Sequence, residues 1–167
     1  MPIRSRLLCL LGLLGLLLTG APAQAAAQAP DLALLAALAQ SDAFQGLNER
    51  QLEAVARLCK LKALKDGEQF IDFGAPLDYI YVVASGKATI LLETGELAGV
   101  AGPGTTLGEM EFVDGQPAAA SVEMTYAGQV VELEAKALRR LLDGDPALGY
   151  RVMGNMARKI SLSLRAR

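Results

Sequence analysis

The hydrophobic positions change period twice along the chain. Residues 32–39 place Leu34, Leu35 and Leu38 on one helical face, with Asp31 positioned to cap them. Asn48 opens a second helix. Asn48-Glu49-Arg50-Gln51 has capping-box spacing, and Leu52, Val55, Ala56 and Cys59 recur at helical intervals. Phe44 and Leu47 lie between these helices and are expected to staple them to the core. From residue 61 the pattern becomes extended. Strands are predicted at 61–64, 68–72, 79–84, 87–92, 97–101, 120–125 and 129–134. Lys65-Asp66-Gly67, Ser85-Gly86, Glu93-Thr94-Gly95-Glu96, Gly102-Pro103-Gly104 and Ala127-Gly128 mark the turns. Seven or eight short strands with such punctuation predict an antiparallel barrel or jelly roll. Helical spacing then returns at 135–142. Asp143-Gly144 is expected to stop that helix, and Asp145-Pro146 to start a last one reaching about Arg165. Val152, Met153, Met156, Ile160 and Leu164 form its apolar stripe. Arg151, Arg158, Lys159 and Arg165 are assigned to a solvated opposite face.

The N-terminus reads as an address rather than structure. Arg4 and Arg6 precede an apolar run over residues 7–18, too short to span roughly 30 Å of hydrocarbon. Ala21-Pro22-Ala23, Ala23-Gln24-Ala25 and Ala25-Ala26-Ala27 offer small-x-small cleavage sites. The expectation is a signal peptide over residues 1–27, a domain over 28–167, export to the periplasm, and no stable membrane span after cleavage. Cleavage takes the formal charge from −2 to −4, removes Cys9 and leaves Cys59 as a buried, inert thiol. The acidic balance gives no general attraction for nucleic acid or anionic membrane. The chain has no histidine, which excludes Ser-His-Asp and Cys-His catalysis and histidine-containing zinc sites.

Residues 108–122 hold the candidate chemistry. Gly108 leads into a turn of helix formers, Asp114-Gly115 turns again, and the chain becomes extended after Pro117. A glycine followed by a helical turn can gather backbone N–H groups around an anion. Glu109 is the carboxylate expected to face that concavity and accept hydroxyl groups. No Arg or Lys lies between Gln116 and Val122 to pair with a phosphate.

Taken in order, these features resemble the cyclic nucleotide-binding domain family. Tyr79-Ile80-Tyr81-Val82-Val83-Ala84-Ser85-Gly86 is similar to the family's strand ending at a well-marked glycine. Gly104-Thr105-Thr106-Leu107-Gly108-Glu109 is similar to the entry of its phosphate-binding cassette. The resemblance implies a mainly β fold, an antiparallel jelly-roll β-barrel (double-stranded β-helix) with N-terminal helices and two C-terminal helices. It implies candidate ligand-binding positions at Gly108, Glu109, Met110, Ala118, Ala119 and Ser121, with no catalytic residue, metal or cofactor. Glu109 stands where the family's glutamate accepts the ribose 2′-hydroxyl. Ala118 stands where its arginine pairs with the cyclic phosphate, and Glu111 replaces a small apolar residue beside the same anion.

Losing a charge-assisted arginine–phosphate contact costs roughly 2–5 kcal/mol. The expected function is therefore a non-enzymatic, exported sensory or regulatory module that does not bind cyclic AMP or cyclic GMP in the usual way. The alternatives are a cyclic nucleotide sensor that uses backbone N–H groups and Ser121 for the phosphate, and a protein-interaction or dimerisation module. The partners expected are a cyclic nucleotide or other small ligand, and a second copy through the C-terminal helix. The family's regulators carry a helix-turn-helix beyond that helix; none follows here, so no nucleic acid is expected.

Overall fold

A computed structural model describes residues 31–165. The predicted signal peptide, its cleavage sites and Cys9 lie outside the described residues. Helix α1 (Leu32–Gln40) is capped by Asp31, whose carboxylate accepts from Ala33 N–H at 2.9 Å. Helix α2 (Glu49–Ala56) begins with the predicted reciprocal pair. Gln51 N–H donates to Asn48, and Asn48 N–H donates to the Gln51 side chain. Such a cap contributes about 1 kcal/mol.

Six strands follow in one antiparallel sheet: β1 (Cys59–Leu64), β2 (Gln69–Ile71), β3 (Tyr79–Leu91), β4 (Leu97–Ala101), β5 (Thr106–Leu107) and β6 (Ser121–Glu134). Helix α3 (Glu109–Asp114) sits between β5 and β6. Helices α4 (Ala135–Gly144) and α5 (Pro146–Arg165) close the fold. Strand β6 pairs with β1, β2 and β3, while β4 and β5 pair with β3. The architecture is the expected jelly roll with flanking helices, but its sheet is not closed into a barrel.

Two predicted turns are absent because the strands pass through them. Ser85-Gly86 lies inside β3, and Ala127-Gly128 lies inside β6. The two segments face each other, and the β3–β6 register shifts there. Gly86 has φ +82°, and a Cβ on it would meet Tyr126 O at 2.6 Å and Ala127 O at 2.9 Å. Its lack of a side chain permits a bulge where the strands cross closely, so residues that usually reverse a chain here bend a paired ribbon. Cys59 is likewise not on α2. It begins β1, and its thiol donates back to Val55 O at 3.2 Å. Gly144 completes the last turn of α4, and Asp145 caps its end while its side chain accepts from Leu148 N–H of α5.

The strand alternation divides the core in two. Ile80 and Val82 of β3, with Val131 and Leu133 of β6, pack beneath Leu38, Phe44, Leu138, Val152 and Met156. Tyr81 and Val83 point the other way, into the roll, with Ala88, Leu107, Val122, Met124 and Val130. Full burial of one such aliphatic side chain contributes about 1.5–3 kcal/mol. Among the described residues, no helix is long and apolar enough to cross a membrane.

Candidate cassette site

The loop after β5 is built on two left-handed glycines. Gly108 (φ +85°) turns the chain into α3, and Gly115 (φ +71°) releases it. At Gly108 a Cβ would lie 2.4 Å from the end of the Leu77 side chain, which would have to shift, and 3.3 Å from Tyr79 O; the left-handed conformation is what requires glycine. Asp114 accepts from Gln116 N–H at 2.9 Å and fixes the exit turn.

Glu109 is buried, and its carboxylate faces α5. One oxygen lies 3.0 Å from Lys159 Nζ. Lys159 is also 3.5 Å from Asp42 and donates to the Thr106 carbonyl. Asp42 in turn accepts from Thr106 N–H at 3.1 Å, and Ser41 and Thr106 hydroxyls meet at 2.8 Å. One ammonium therefore ties together the segment after α1, strand β5, the first residue of α3 and helix α5. Burial raises the Glu109 pKa above the ordinary carboxylate value. Lys159 and a backbone hydrogen bond oppose that shift without cancelling it.

Sequence reasoning placed Lys159 on the solvated face of the last helix. It lies instead on the inner face, because Val152, Met156 and Lys159 follow i, i+4, i+7 spacing and share one stripe. That spacing was the available signal. Asn155, also missed, donates to the carbonyls of Ala43 and Gln45 and fastens α5 to the segment between α1 and α2.

The other candidates lie around α3. Met110 is exposed on its outer side. Ala118 is buried in the apolar cluster of the roll, with its N–H donating to Ala75 O at 2.9 Å and its carbonyl accepting from Gly74 N–H at 2.8 Å. Ala119 N–H donates to a Glu111 carboxylate oxygen at 3.0 Å. Ser121 accepts from Phe73 N–H at 3.1 Å. The Glu111–Ala119 bond joins the outgoing and returning arms of the cassette. A cavity of about 270 Å³ opens between α3, α4 and the start of β3, and of the six candidate positions only Gly108 lines it. Cys59 begins β1, outside the cassette segment, and burial pushes its thiol up to about 12.

The profile described as "Cyclic nucleotide-binding domain" matches residues 61–145, from β1 to the cap of α4. A cAMP-dependent protein kinase regulatory subunit from Yarrowia lipolytica is 32% identical over 102 residues, covering 60% of this chain and 27% of that protein. The chain spans about a quarter of the length of the curated relatives it matches. A cyclic nucleotide-binding domain from Methylobacillus flagellatus superposes with a TM-score of 0.70 at 22% identity, covering 80% of this chain and 78% of that one. A mutant regulatory subunit of a cAMP-independent protein kinase A from Trypanosoma brucei, bound to cAMP in its A site, gives a TM-score of 0.66 at 18% identity, covering 75% of this chain and 45% of that one. Domains of this type are regulatory rather than catalytic. Profile and topology agree, and the chain belongs to the cyclic nucleotide-binding domain family.

Proposed function

We infer that this chain is an exported regulatory module whose cassette is ligated by its own side chains, so that it does not take cyclic AMP or cyclic GMP in the usual way. The observation that carries this reading is the 3.0 Å hydrogen bond from Ala119 N–H to Glu111. A carboxylate of the chain occupies a backbone donor that an incoming phosphate would need, and no cation stands at position 118. Glu109, which would accept the ribose hydroxyl, is already paired with Lys159. The alternative of a phosphate held by backbone N–H groups and Ser121 is disfavoured. The Ala118 and Ala119 N–H groups already have internal acceptors, which leaves the Ser121 O–H, whose oxygen accepts from Phe73 N–H, as a single donor for the phosphate.

The Trypanosoma brucei protein supports the same reading. It comes from a cAMP-independent kinase, and the form bound to cAMP carries glutamate-to-alanine, threonine-to-arginine and valine-to-alanine changes. Those three positions have the spacing of Glu111, Ala118 and Ala119. Titration calorimetry with cyclic AMP and cyclic GMP tests the proposal. The wild type is expected to show no binding at micromolar levels or tighter. The double variant Ala118→Arg, Glu111→Ala is expected to gain at least about tenfold, or 1.4 kcal/mol. Micromolar binding by the wild type would overturn the reading, and a double variant without gain would overturn the register.

A further inference from the structure

We propose that the cavity between α3 and α4 binds a small organic anion with a flat apolar body. The cavity's wall is formed by Leu77, Ile80 and Phe112, with the half-exposed ring of Tyr79 at its side. An apolar wall with a few polar groups at the rim is the usual composition of a small-ligand site. At about 270 Å³ it has room for a one- or two-ring molecule.

The rim decides the charge. Lys136 and Arg139 both line the cavity from α4, one helical turn apart. Among the described residues Lys136 has only a distant partner, Asp78 at 3.9 Å across solvent, which leaves its ammonium donors open. Arg139 stacks on the Phe112 ring at 4.5 Å and gives one guanidinium N–H to the Phe112 carbonyl. That fixes the guanidinium at the cavity while leaving further donors for an oxyanion. Glu111 is the lining carboxylate, and one of its oxygens is already satisfied by Ala119 N–H. The lining therefore has a surplus of positive charge and of unspent donors. A carboxylate or a phosphate monoester satisfies both, and the ring it carries lies against Tyr79 and Leu77.

The site does not depend on what the cassette takes. The test is a two-dimensional amide NMR titration of the full chain with 2-naphthoate, phenyl phosphate and uncharged 2-naphthalenemethanol. Both anions are expected to shift the Tyr79, Gly108, Gly115 and Gln116 amides saturably in the millimolar range or tighter. The neutral probe is expected to bind at least about threefold more weakly. Lys136→Gln is expected to weaken both anions by at least about threefold and to leave the neutral probe unchanged. Ala135→Leu, which fills the cavity, is expected to abolish the shifts for all three. Absence of saturable shifts at these amides would overturn the proposal. So would shifts centred on Val83 and Met124 in the roll, equal binding of the neutral probe, or a Lys136→Gln variant indistinguishable from wild type.

Discussion

Lys159 Nζ lies 3.0 Å from Glu109 Oε1, joining the last helix to the first residue of the cassette helix. Both side chains are mostly withdrawn from solvent, so neither is well hydrated without the other. Removing one partner of such a pair costs about 3–5 kcal/mol when the remaining charge stays buried. Lys159→Met should therefore destabilise the domain by several kcal/mol near pH 7 in urea unfolding.

The same pair sets a pH dependence with a definite sign. Glu109 has a raised pKa in the folded state, so the folded chain binds its proton more tightly than the unfolded chain. Its contribution to stability therefore rises as pH falls through the raised value, and levels off below the ordinary carboxylate value of about 4.3. In Lys159→Met the carboxylate loses its cation and protonates at still higher pH. The deficit of that variant should shrink steadily on acidification. Urea midpoints measured across the acidic range check this; a deficit that stays constant would mean Glu109 is not the group responsible.

Ala118→Arg is expected to be costly on its own. Position 118 is buried among Leu107, Val122 and Met124, and an unpaired guanidinium there is poorly solvated. The thermal midpoint should fall without nucleotide, by an amount equivalent to about 1–3 kcal/mol. Cyclic AMP should restore part of the loss once Glu111 is also replaced by alanine. Restoration with Glu111 intact would argue against the internal carboxylate as the competing ligand.

Gly108→Ala should cost about 1–3 kcal/mol, from the left-handed backbone and the contact with Leu77. Adding Leu77→Ala separates the two causes, since it relieves the steric part only. At Gly115 a Cβ meets nothing within 4 Å, so Gly115→Ala should show the conformational part alone, about 1–2 kcal/mol. Chemical denaturation of Gly108→Ala, Leu77→Ala, their combination and Gly115→Ala gives the comparison.

Cys59 should react slowly with thiol reagents. With its pKa raised to about 12 by burial, almost no thiolate is present at pH 8. Alkylation of the Cys59 peptide, followed by mass spectrometry, should become fast only on unfolding.

Much of the fold was legible because local chemistry and final structure agree. Asp31, the Asn48/Gln51 pair and Asp145 cap helices where their side chains predict, and the apolar alternation of β3 and β6 sorts residues onto the two cores. The misreadings came from tertiary context. Ser85-Gly86 and Ala127-Gly128 carry turn chemistry, yet pairing between the two strands overrides it. The cassette was legible as a register, but the direction of each side chain was not. Whether Glu109 faces a ligand or Lys159, and whether Glu111 turns out or back to Ala119, depends on where α5 and the returning arm lie in space. Lys159 was hidden by its charge, since a lysine in a helical stripe reads as surface until its buried partner is known.

The dominance of β6 has a consequence for the order of assembly. This strand is the last of the sheet in sequence, yet it is the partner of β1, β2 and β3. Cys59 of β1 meets Leu133, and Tyr79 of β3 meets Glu134. A chain emerging from its N-terminus can form the β3–β4 hairpin early, but β1 must wait for β6 to be made. Contacts that close such long loops are slow to form. The complete sheet thus forms only in a chain that extends to Glu134, and a truncation inside β6 should leave a chain unable to assemble it.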